Sequence, residues 1–100
     1  SAEALKELAQ ASRLAPDTPR FAYVHAVALN DAGQKQQAIR ALEAALVRHP
    51  NEREVLLALV LFLRDTGEDE RAAGYARRLA ELEPDNPQVQ RLVGQSGGGR

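Results

Sequence analysis

Pro16-Asp-Thr-Pro19, Pro50-Asn-Glu-Arg53 and Pro84-Asp-Asn-Pro87 recur at a constant interval of 34 along the chain. A proline has no N–H for a helix to use and pushes the residue before it out of the helical region. Each of these places therefore ends one helix and starts another. Other residues keep the same step: Gly33 pairs with Gly67, Asp31 with Asp65, Leu29 with Leu63, and Leu8 with Leu42, while Ala4, Ala38 and Ala72 form a series. Agreement of prolines, glycines and alanines at one interval marks an internal repeat. A period in the range of roughly 20–50 residues belongs to arrays that bury their core only between neighbours.

The residues between the prolines are helix formers. Alanine (18) and leucine (14) make up about a third of the chain, against ten Val, Ile and Thr together, so the expected class is all-α. Each unit reads as a pair of antiparallel helices. The first begins after a cap or proline (Thr18-Pro19, Asn51 with Glu54 three residues on, Asn86-Pro87) and ends at Gly33 or Gly67, where positive φ is free. The second runs from about Gln36 to Arg48, and from about Asp69 to Leu82. This grammar predicts an α-solenoid of about six helices: a lone second-type helix near 2–14, the pairs 19–32 with 36–48 and 53–65 with 69–82, and a lone first-type helix at 87–94. Residues 95–100 are expected to be a flexible tail, too rich in glycine to order itself. Glu68-Asp69-Glu70 sits at the positive end of a helix dipole, and Arg77-Arg78 lie toward the other end. Both groups read as ordinary solvated helix surface.

Composition excludes several functions. Thirteen basic against fourteen acidic side chains leave no positive excess for phosphates, so nucleic acid is not expected as a partner. No apolar run approaches the ~18 residues of a membrane-spanning helix, so the expectation is a soluble chain without membrane insertion. Without cysteine there is neither a disulfide framework nor a thiolate metal site, and the compartment stays open between cytoplasm and periplasm. Methionine is absent even at residue 1, which suggests a piece of a longer protein with repeats continuing on either side.

The framework resembles the tetratricopeptide repeat, a helix-turn-helix unit of about 34 residues. Residues 19–52 match it through Ala26, Leu29, Gly33, Ala38-Ile39, Leu42, Ala45-Leu46 and Pro50-Asn51. Residues 53–86 match through Leu56, Leu59, Leu63, Gly67, Ala72 and Pro84-Asp85. Residues 1–18 resemble the second half of a unit (Ala4-Leu5, Leu8, Ala11, Pro16) and 87–94 the beginning of another, so 1–94 is expected to form one domain. Ala22 departs from the family's early aromatic, Val60 and Leu79 replace small residues, and Ala76 replaces a bulky one. Exchanges of large and small at facing positions preserve volume and read as repacking. The wording of 20–29 and 40–50 is also similar to bacterial members of the family, some of them attached to exported redox proteins.

No catalytic constellation stands out. His25 and His49 lack a second ligand at helical spacing, Asp69 and Glu70 point apart on a helix, and no phosphate loop or metal motif is present. No cofactor or metal is expected. The resemblance implies that first helices line a concave groove. Their outward stripes would be Arg20, Tyr23, Val27 and Asn30 on one, and Glu54, Leu57, Leu61 and Arg64 on the next, each at helical spacing. The run Val55–Leu63 is apolar for nine residues, more than packing within the repeat requires. The stripe is therefore expected to take an apolar or amphipathic peptide or helix anchored by Tyr23, Val27, Leu57 and Leu61. Where some relatives present the lysine and asparagine that clamp a C-terminal carboxylate, Tyr23, Val27, Leu57 and Leu61 stand instead. The alternative is assembly: a homodimer, or packing against other domains of a parent protein.

Overall fold

A computed structural model describes residues 19–96, with side-chain surroundings through residue 94. The expected helix near 2–14, the Thr18 cap and residues 97–100 of the expected tail lie outside the described residues, whereas Gln95 and Ser96, expected in that tail, continue the last helix. Five helices follow one another: α1 Pro19–Asp31, α2 Lys35–Arg48, α3 Arg53–Asp65, α4 Asp69–Leu82 and α5 Pro87–Ser96. Each packs on the next, and α1 also meets α3. Helix pairs are thus stacked side by side, the architecture of an all-α solenoid.

The glycines make the turns. Gly33 and Gly67 adopt φ of 82° and 80°, a region costly for any residue with a Cβ. After α1, the Gln34 N–H reaches the Leu29 carbonyl at 2.9 Å and the Gly33 N–H reaches Asn30 at 3.0 Å. After α3, Glu68 reaches Leu63 at 2.8 Å and Gly67 reaches Arg64 at 3.1 Å. The same pair of reversed hydrogen bonds therefore closes both first helices and reverses the chain within a short turn.

Two of the expected helix starts differ. Asn86 caps α5: its Oδ1 accepts from the N–H groups of Gln88 (3.0 Å) and Val89 (3.4 Å), with Pro87 in the first helical position. Asn51 does not cap α3. That helix begins at Arg53, its cap residue is Glu52 in extended conformation, and no side chain closes it. Asn51 stands one residue too early to face the free N–H groups, so the expected box with Glu54 does not form.

The core runs continuously through the stack. Leu29, Ile39, Leu42, Leu56, Leu59, Leu63 and Leu79 are buried in one cluster with Ala26, Ala38, Ala72 and Val89. Of the departures from the family pattern, Val60, Leu79 and Ala76 are fully buried and Ala22 is half-buried. The exchanged sizes are accommodated inside the core.

Candidate interaction surface

The α1 and α3 stripes run alongside each other. Arg20 Nη1 lies 3.2 Å from Glu54 Oε2, tying two residues that occupy the same place in successive units. The apolar run of α3 divides between core and surface as helical geometry requires. Val55, Leu56, Ala58, Leu59, Val60 and Leu63 are buried, Leu57 and Phe62 are half-buried, and Leu61 keeps 47% of its surface. Beside them Tyr23 and Val27 are half-buried, with Tyr23 and Leu57 resting against the core cluster. None of the four anchor residues is sealed, and Leu61 is the most open of them. Arg20 and Glu54 are exposed, whereas Asn30 and Arg64 are half-buried. Among the described residues Asn30 Oδ1 has no donor.

A second cluster, on the second-type helices, was not foreseen from the sequence. Glu43 of α2 accepts from the Tyr75 hydroxyl of α4 at 2.8 Å and pairs with Arg71. Arg71 also reaches Glu68 at 2.8 Å, and Glu68 accepts from Thr66 (2.9 Å) and Gln36 (3.3 Å). Lys35 pairs with Asp65 across the same seam, and Arg78 donates to the Pro50 carbonyl at 2.8 Å while lying over the Tyr75 ring. Glu68 and Arg78 are therefore fasteners between units rather than plain solvated surface, which corrects the sequence expectation for these two residues. The signal available in the sequence was opposite charge on the two sides of a repeat boundary, Glu43 with Arg71 and Lys35 with Asp65.

Electrostatics follow from these contacts. Hydrogen bonds from Arg71, then Thr66 and Gln36, hold the Glu68 carboxyl below its ordinary range. Glu43 and then Glu68 raise the Arg71 guanidinium. Burial, reinforced by Glu43, raises the Tyr75 phenol. Arg71, Gly74, Tyr75 and Arg78 line an open depression of about 320 Å³. Its basic groups are already engaged by protein partners.

The histidines have structural surroundings. His49 is the residue that ends α2, its N–H meeting the Ala45 carbonyl at 2.9 Å. His25 is half-buried on α1. Among the described residues no three His, Cys, Asp or Glu side chains gather as metal ligands, and no helix is long and apolar enough to cross a membrane.

Paired helices of fixed length, closed by equivalent glycines and stacked into one core, define a helical-repeat scaffold. The chain matches the sequence profile of the tetratricopeptide repeat over residues 29–95 and belongs to that family. Among solved structures it is similar to one described as the crystal structure of MamA protein, with a TM-score of 0.81 at 20% identity over 95% of this chain. It spans about half of that protein's chain (52%). At this identity the likeness concerns the fold. Among curated proteins none matches the sequence. Tetratricopeptide repeats generally mediate protein–protein interaction and are typically non-catalytic.

Proposed function

We propose that this chain is a non-catalytic module that holds an apolar or amphipathic peptide or helix along the joined stripes of α1 and α3. Tyr23, Val27, Leu57 and Leu61 are the anchors. Arg20, Asn30, Glu54 and Arg64 orient the ligand at the ends. The observation that carries this reading is Leu61: it keeps 47% of its surface in the middle of a helix whose other large aliphatic side chains are buried or half-buried.

The energetics bound the affinity. Complete burial of one such side chain contributes about 1.5–3 kcal/mol, but these four are already partly covered, so docking gains about half of that from each on average, about 3–6 kcal/mol in all. A micromolar complex corresponds to about 8 kcal/mol after the cost of association. The four anchors alone therefore do not reach that affinity, and a bound peptide must bury further surface beside them. Selection of a displayed random-peptide library against the protein tests this. Enriched peptides should carry two or more apolar residues at helical or extended spacing and should be lost on Leu61→Asp. Enrichment that survives Leu61→Asp and Leu57→Asp in a folded protein contradicts the reading.

A second reading is that another copy of the chain covers the stripe. Val47, 84% exposed near the end of α2, is a further exposed aliphatic side chain outside the stripe. Light scattering separates the two: a concentration-dependent dimer abolished by Leu61→Asp favours assembly, and a monomer at all concentrations rules it out.

A further inference from the structure

The stripe treats its charges differently at its two ends. At one end Arg20 and Glu54, one repeat step apart, neutralise each other at 3.2 Å. At the other end the same step sets Asn30 against Arg64. Asn30 offers an amide where Glu54 offers a carboxylate, and among the described residues its Oδ1 takes no hydrogen bond. Arg64 is half-buried and forms no ion pair among the described residues. The stripe then continues onto α5. Val89 and Leu92 stand one step beyond Val55 and Ala58 and pack on the same cluster, so Arg91 takes the place of Leu57. Arg91 is exposed, and among the described residues its side chain reaches only the Pro87 carbonyl of its own helix, from Nε at 3.4 Å. Cations at the seams between units are engaged: Lys35 by Asp65, Arg53 by Glu83, and Arg71 by Glu43 and Glu68.

We propose that the partner on the stripe is acidic as well as apolar: a peptide whose carboxylates meet Arg64 and Arg91 while its apolar side chains cover Leu57 and Leu61. This rests on the stripe being a peptide-binding surface and adds the charge of the ligand. Charge complementarity carries it. The joined stripes hold three arginines against one glutamate, a positive surplus in a chain whose formal charge is −1. The molecule as a whole therefore gives an acidic peptide no attraction from afar, and selection arises at contact, within a Debye length of about 8–10 Å. Each guanidinium presents a fork of N–H donors that fits a carboxylate better than any neutral acceptor. Arg64 stands three residues past Leu61, about 4.5 Å along α3. One carboxylate of the ligand thus belongs within about a helical turn of the side chain that covers Leu61.

Selection of a displayed random-peptide library on the full chain and on Arg64→Glu/Arg91→Glu tests this. The unaltered protein should enrich peptides with Asp or Glu close to an apolar pair. The charge-reversed protein should enrich Lys or Arg at those places with the apolar spacing kept. A synthetic peptide from the first selection should bind Arg64→Gln/Arg91→Gln about three- to tenfold more weakly. It should bind Arg40→Gln, a cation removed from the exposed side of α2, as well as it binds the unaltered protein. Raising salt from about 50 mM to about 500 mM should weaken the unaltered complex and barely affect the double glutamine variant. Peptides that depend on Leu61 but show no acidic preference, or bind Arg64→Gln/Arg91→Gln undiminished, overturn the acidic ligand and leave the apolar stripe standing. Peptides indifferent to Leu61→Asp overturn both. A dimer of the chain that dissociates in Arg64→Gln/Arg91→Gln overturns the proposal in favour of a second copy.

Discussion

Residues 19–52 and 53–86 distribute their bulk in opposite ways. In the first unit the second helix is heavy, with Ile39, Leu42 and Leu46 facing the small Ala22 and Ala26 of α1. In the second unit the first helix is heavy, with Leu56, Leu59 and Val60 facing Ala72, Ala73 and Ala76 of α4. Large and small buried residues change places between the two pairs at these positions, an exchange that a close-packed core tolerates when both partners change together. The arrangement also brings the two heavy helices, α2 and α3, into contact at the centre of the described stack. A repeat position therefore specifies a space to be filled jointly with its neighbour, not a residue type.

Truncations at the heavy centre should do most damage. Leu42→Ala and Leu59→Ala, each in the continuous cluster, should cost about 3–5 kcal/mol in denaturant unfolding. Val89→Ala, at the lighter end, should cost about 1–2 kcal/mol less than those. Equal losses at all three would remove the contrast between centre and end.

The turns are where the units should behave alike. Gly33→Ala and Gly67→Ala force a Cβ into the left-handed region at φ near 80° and should each cost about 1–2 kcal/mol. The two costs should agree closely, since nothing crowds either position; thermal unfolding checks this. Helix caps come next in size. Asn86→Ala should lose about 1 kcal/mol with the hydrogen bonds to Gln88 and Val89, whereas Asn51→Ala should stay within about 0.5 kcal/mol.

Electrostatic contributions should be smaller still. Glu68 has its carboxyl lowered in the folded state by Arg71, Thr66 and Gln36. Its contribution is therefore complete above the ordinary carboxylate range and disappears as pH falls through the lowered value. Glu68→Gln should flatten the acid side of the stability profile and leave the alkaline side unchanged. Tyr75 acts in the opposite direction: its raised phenol favours the fold below its ordinary titration range and gives that up as pH rises past the raised value. Tyr75→Phe should flatten the alkaline side.

Much of the fold was legible because the step of 34 repeats punctuation whose physics is local. Prolines stop helices, and Gly33 and Gly67 supply the one backbone region that closes them. What depended on neighbours was not legible. Asn51 satisfied the rule for a cap yet lay one residue too early, because α3 starts at Arg53 with Glu52 in the cap position. The fasteners from Glu43 to Arg71 and Tyr75 and from Gln36 to Glu68 link residues that no helical spacing pairs, so they emerged only when the two units were set side by side. In the stripe, helical phase placed Leu61 on the outside, but how far Leu57 and Tyr23 lean into the core was decided by the helix beside them.

If the α1 and α3 stripes hold a partner, two exposed aliphatic sites, Leu61 and Val47, must differ, because only the first lies on the stripe. The deciding quantity is the affinity of a library-selected peptide for Leu61→Asp compared with that for Val47→Asp. A loss of at least about tenfold, about 1.4 kcal/mol, is expected at Leu61 and none at Val47. Equal binding by both variants would contradict a partner on the stripe.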